Sequence, residues 1–268
     1  MNPFAFSCIM PHGGELVPEL AGEDPQRMKV TRGAMERLGR MMEEGQPDTI
    51  LVITPHGTGV DGRFAITDSE RLVGVVEENG ARYEMARTVD RVAAAEIVVE
   101  AKKANLPAAS IHFGTSEGEG SVLPLDWGAI VPLRFMPDVP VVVVTPSKKT
   151  APDELMRFGA VLRKTAEQAT TKFGLIASCD WSHTHDESGP YGFSPQAKRV
   201  DEEVVRLVKA NRLEAMRELD GDAVEEAKPD GLRQALVLAG AIPKGERRVD
   251  FLSYEVPTYF GMICAGFR

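Results

Sequence analysis

Pro47-Asp-Thr-Ile-Leu-Val-Ile-Thr-Pro55-His56-Gly57 is the stretch on which the reading of the fold turns. Its centre, Thr49 to Thr54, is a short apolar run rich in branched residues, the pattern of a strand buried on both faces. The run ends on a proline, which fixes the approach to a turn, and a glycine, which lets the backbone swing away without a Cβ clash. His56 is thereby set just past the strand's carboxyl end, the edge that borders the ligand crevice in open α/β sheets.

The same signature recurs along the chain. Phe4 to Met10 is a second buried run and leads into Met10-Pro11-His12-Gly13. Val139 to Thr145 and Gly174 to Cys179 are two more, the latter followed by Cys179-Asp180-Trp181-Ser182-His183-Thr184-His185. A fifth run, Val249 to Tyr254, alternates more and is followed by Tyr259 to Phe267.

Segments with helical spacing lie between: Met28 to Glu44, Met85 to Ala104, Pro152 to Lys172, Pro195 to Asn211 and Asp230 to Ala241. Asp153 and Ser194 stand where N-caps are expected, and Gly240 near a helix end. The alternation predicts an α/β fold, one catalytic domain over residues 1–268, with a central, mostly parallel or mixed sheet flanked by helices. Antiparallel strands are expected near Gly62 to Val76 and at the C-terminus, and the active site at the strand carboxyl ends. Leu213 to Lys228 is charged and reads as a solvated helical excursion.

Composition narrows the function. The chain has 268 residues, 43% of them hydrophobic, enough to bury a full core. A net charge of -9 with no Lys/Arg-rich run excludes the basic stripe that nucleic acid requires. No apolar run approaches the roughly 20 residues of a spanning helix, and the first residues lack a basic leader pattern, so a soluble, cytoplasmic protein is expected. Cys8, Cys179 and Cys264 lie far apart and are odd in number, as for reduced core residues.

Of five histidines, four directly follow apolar strands: His12, His56, His183 and His185. Two imidazoles, His12 and His56, leave a metal under-coordinated, and Glu255, after Val249 to Tyr254, is the expected third ligand. Two histidines and a carboxylate leave open positions, as in non-haem Fe(II) oxygenases. Zinc uses the same set in hydrolases, so the ligands alone leave both metals open. His112, in Ser110-Ile-His-Phe113, reads as a packed strand residue. Gly57-Thr-Gly-Val-Asp-Gly62 satisfies G-x-G-x-x-G, but Arg63 to Thr67 beyond it reads as a strand and not as the helix a dinucleotide needs.

Taken in order, Met10-Pro-His-Gly13, Pro47 to Gly57, Leu125-Asp-Trp-Gly-Ala-Ile-Val-Pro-Leu133, Ser178-Cys-Asp-Trp-Ser-His183 and Tyr254-Glu-Val-Pro-Thr-Tyr-Phe-Gly261 resemble the class III extradiol ring-cleavage dioxygenases, the LigB-like superfamily, in their catalytic B subunit. The resemblance runs over nearly the whole chain. It implies Fe(II) held by His12, His56 and Glu255, His183 as acid/base, and a catechol-type substrate opened by O2 to a semialdehyde. It also implies a homodimer or a small partner subunit, with no nucleic acid and no membrane.

One departure is Trp127, where many members carry a histidine. Trp127, His185 and Tyr191 are the expected substrate contacts. Two rival readings keep the ligands: a Memo-like protein that binds a partner or metal without catalysis, and a zinc-dependent hydrolase.

Overall fold

A computed structural model describes residues 2–268. In chain order the strands are β1 (Phe6–Met10), β2 (Thr49–Ile53), β3 (Phe64–Thr67), β4 (Arg71–Glu78), β5 (Ala81–Thr88) and β6 (Ala108–Ile111). There follow β7 (Val122–Pro124), β8 (Val141–Pro146), β9 (Phe173–Ser178), β10 (Val249–Glu255) and β11 (Met262–Phe267). The helices are α1 (Lys29–Gly45), α2 (Arg91–Lys103), α3 (Trp127–Leu133), α4 (Pro152–Gln168), α5 (Pro195–Lys209), α6 (Gly221–Ala227) and α7 (Leu232–Ala241).

Eight strands form one mixed sheet in the order β10-β11-β1-β9-β2-β8-β3-β6. Its centre, β1-β9-β2-β8, is parallel, and antiparallel pairings appear where β11 joins β1 and where β3 joins β8. The four central strands are buried along their whole length, which is why they read as unbroken apolar runs. Alternate residues serve opposite cores: Leu51 and Ile53 of β2 face the side packed by α2, α4, α5 and α7, while Ile50 and Val52 face α1 and α3. A separate three-stranded sheet, β5-β4-β7, covers the second side.

Several boundaries differ from expectation. Met85 belongs to β5, and the helix read from that point begins only at Arg91, after Asp90 accepts from the Ala93 amide at 3.0 Å. Ser194 caps α5 as expected, whereas α4 is preceded by Ala151 and Asp153 lies within its first turn. Gly240 does lie near a helix end, as the penultimate residue of α7, and it stands where that helix crosses α4 closely: a Cβ there would stand 1.9 Å from the Met156 carbonyl oxygen, and one on Gly159 would meet the Val237 oxygen at 2.1 Å. The expected solvated excursion at Leu213 to Lys228 is docked instead, with Leu213, Met216, Ala223 and Ala227 in the core. His112 is not a packed strand residue; it is exposed just past β6. All three cysteines are buried and unpaired.

Candidate active site

Because β1, β2 and β9 run parallel, the segments following them emerge at one edge of the sheet. His12 follows β1, His56 follows β2, and Asp180 and His183 follow β9. A further residue joins them from outside the sheet: Asp230, two residues before α7.

Asp230 Oδ2 lies 3.2 Å from Nε2 of His12 and 3.2 Å from Nε2 of His56, and the two imidazole nitrogens are 3.1 Å apart. These three side chains form a group able to hold a metal ion. The donor set also has a suitable shape. Three ligand atoms at roughly 2.1 Å from one ion and mutually at right angles stand about 3.0 Å apart, whereas tetrahedral placement separates them by about 3.4 Å. The observed spacings of 3.1 to 3.2 Å lie between the two, so the three donors can share one ion in either geometry.

Supporting contacts fix each donor. Ser178 Oγ donates to the Gly128 carbonyl, so at 2.9 Å from His12 Nδ1 it accepts that ring's N–H and turns Nε2, which donates to Asp230 while protonated, toward the donor group. The His12 amide donates to Asp180 Oδ1 at 3.0 Å, and the Asp180 amide to Asp230 Oδ1 at 3.0 Å. Trp127 stacks on the His56 ring at 4.2 Å and 24°, while Thr54 donates to Asp126 at 2.6 Å beneath it. Gly128 must lack a Cβ, which would stand 2.5 Å from Thr54 Oγ1 and 3.2 Å from the His56 ring.

Charge in this group is tightly linked. Burial pulls the His12 pKa down, but Asp180, Asp230 and Asp126 outweigh it and leave it raised to about 9. Asp230, also opposed by burial, is held below the usual carboxylate range by His12, His56 and His183. Burial pushes Asp180 and Asp126 the other way, upward.

His12, His56, Asp180 and His183 line one pocket of about 430 Å³, walled by Trp127, Tyr191, Tyr259 and Phe260. His183 Nδ1 donates to the Lys228 carbonyl at 2.8 Å, which leaves its Nε2 able to accept a proton. Its ring packs against Phe260 at 5.4 Å and Tyr191 at 5.7 Å.

Of the residues singled out in the sequence, His12, His56, His183, Trp127 and Tyr191 therefore come together. Glu255 and His185 do not. Glu255 Oε2 accepts from the Thr31 amide at 2.8 Å and from its hydroxyl at 2.5 Å, at the first turn of α1. His185 Nε2 pairs with the fully buried Asp201 at 2.9 Å, which also accepts from the Tyr254 hydroxyl at 2.8 Å. That network lies outside the pocket lining.

Sequence reasoning missed Asp230, although a signal was present. Pro229-Asp230-Gly231 repeats the Pro-x-Gly frame of the two histidine turns, as does Pro190-Tyr191-Gly192. The chain holds five such triplets; only Pro243-Lys244-Gly245 lies elsewhere.

The chain matches, over residues 7–266, the family described as the catalytic LigB subunit of aromatic ring-opening dioxygenase, and it belongs to that family. It is 27% identical over 252 residues to protein CA_C1420 of Clostridium acetobutylicum, a match covering 92% of this chain and 54% of the relative. The chain thus spans about half the length of that curated relative. Its fold resembles the crystal structure of uncharacterized protein JW3007 from Escherichia coli K12, with a TM-score of 0.66, 16% identity and coverage of 98% and 99% of the two chains. No helix among the described residues is long and apolar enough to cross a membrane.

Proposed function

We propose that this chain is a non-haem Fe(II) extradiol dioxygenase that opens a catechol-type ring with O2 to a semialdehyde. The observation that carries the reading is the convergence of His12, His56 and Asp230 on one point beside His183 and an aromatic-walled pocket. Asp230 takes the carboxylate place for which Glu255 was the expectation, since Glu255 is engaged at α1.

Fe(II) in this site would supply Lewis acidity toward the diol oxygens and a path for electrons from the diol, which is the net reductant, to O2, with no net change in the metal. The protein's own part is positional and protonic. Ser178 and Trp127 hold the two imidazoles in fixed orientation, so that little freedom is lost on binding. The rings of Tyr191, Tyr259 and Phe260 give an aromatic substrate an apolar wall and limit water. His183, its Nδ1 committed to a carbonyl, can take a phenolic proton at Nε2 and return it at a later stage.

Oxygen consumption by protein loaded with Fe(II) under nitrogen and then given air tests the reading against a panel of catechols. Uptake with a yellow ring-opened product is expected. Stoichiometric zinc with no oxygen uptake on any diol would overturn it in favour of the hydrolase or the non-catalytic binder.

A further inference from the structure

The proposed reaction leaves open which ring substituents the pocket accepts, and the charges around its wall bear on that choice. Among the described residues lining the pocket, none is lysine or arginine. Apart from its histidines, the ionisable acids and bases there are carboxylates: Asp180 beside His12, and Glu15, Glu77 and Glu78. A volume of about 430 Å³ suits a single substituted ring, so any substituent on that ring must come near this wall.

The three outer carboxylates are not equivalent. Glu15 is neutralised by an ion pair with Arg27. Glu77 lies 3.8 Å from Arg82. Glu78 has no ion pair among the described residues, and its Oε2 is 3.0 Å from where a Cβ on Gly14 would stand, which places it against the turn that carries His12. Lys228 lines an adjoining groove with Asp222, Glu225 and Glu226, and not this pocket. The aromatic faces of Tyr191, Tyr259 and Phe260 add a surface that favours cations.

We propose that this pocket selects ring diols by side-chain charge: neutral and amine-bearing diols enter, carboxylate-bearing ones are rejected, and Glu78 sets much of the difference. The inference rests on the ring-diol reading of the site. A substituent carboxylate would meet Glu78, which has no ion pair among the described residues, with no lysine or arginine in the lining to attract it, whereas an ammonium group would meet Glu78 and aromatic faces.

The test is calorimetric binding to protein loaded with Fe(II) and kept under nitrogen, so that affinity is read without turnover. Methylcatechol, dopamine and homoprotocatechuate share the diol and differ in charge. Homoprotocatechuate should bind weaker than methylcatechol by about tenfold or more, dopamine at least as tightly, and the gap should narrow in high salt. Glu78→Gln, nearly isosteric on an exposed strand end, should reduce the gap, and Glu78→Lys should reverse the order. Equal affinities, tightest binding of the carboxylate, or ratios unmoved by both substitutions would overturn charge selection while leaving diol binding intact. If none of the three binds, the ring-diol reading itself falls and this inference with it.

Discussion

The imidazole of His12 is oriented by Ser178: Nδ1 and Oγ stand 2.9 Å apart, and the serine's own proton is committed to the Gly128 carbonyl. His12 and Ser178 are brought together because β1 and β9 are adjacent parallel strands with Met10 opposite Ser178. The hydroxyl therefore keeps the proton on Nδ1, so that Nε2 is the nitrogen left for a metal ion once its own proton, shared with Asp230, has gone. Ser178→Ala should keep the fold, lose about 1 kcal/mol through the vanished buried hydrogen bond, and weaken metal binding about 10- to 100-fold. Thermal melting and metal titration on the same preparation check both parts; unchanged metal affinity would count against the tautomer argument.

Asp230 and Glu255 compete for one role, and their surroundings separate them. Asp230 Oδ2 is within 3.2 Å of both histidine nitrogens, whereas Glu255 satisfies the Thr31 amide at an α1 terminus whose own N-cap, Met28, offers no side-chain acceptor. Asp230→Ala should abolish stoichiometric metal. Glu255→Ala should retain metal and lower stability by about 1 kcal/mol, as for a lost helix cap. Elemental analysis of the two variants decides it: the opposite result returns Glu255 to the metal.

The same contrast explains which features were readable in the sequence. β1, β2, β8 and β9 are buried on both faces, so burial alone writes them as apolar runs, and a histidine just beyond such a run inherits a known position. Asp230 precedes a helix and follows no apolar run, so its Pro-x-Gly frame was its one local mark, and its approach to His12 spans 218 positions in sequence. Glu255 resembled a ligand because it too ends a strand, yet β10 lies at the sheet edge, with β11 between it and β1. His185 was misjudged for a related reason: it shares a loop with His183, but Asp201 from α5 draws it away from the pocket.

Proton and metal compete at His12. Its folded pKa of about 9 lies above the ordinary imidazole value, so in the metal-free protein its contribution to stability is complete below about pH 6.5 and is lost as pH rises through 9. Asp230, shifted downward, contributes in the opposite sense: its part is present above the ordinary carboxylate range and is lost on acidification. The melting temperature of the apoprotein should therefore fall between pH 6.5 and 9. Metal affinity should rise over the same interval, by about tenfold per pH unit, because binding must displace the His12 proton. Calorimetry in buffers of different ionisation enthalpy would show one proton released; no release at pH 7 would refute the coupling.

His183 differs from the metal-site pair in standing outside the group that His12 and His56 form with Asp230. With Nδ1 bound to the Lys228 carbonyl and the ring packed against Phe260, it is held in the pocket wall by contacts that do not involve the other donors. His183→Ala should thus retain a full complement of metal and bind a diol under nitrogen with little loss. Its turnover in air should fall by about 10²- to 10⁴-fold, the range for a removed acid/base. A His183→Gln variant, which keeps a polar side chain without a titrating group, should be as slow and should lose the wild-type pH limb of kcat. Loss of metal in either variant would make His183 a ligand and leave the proton transfer to another group.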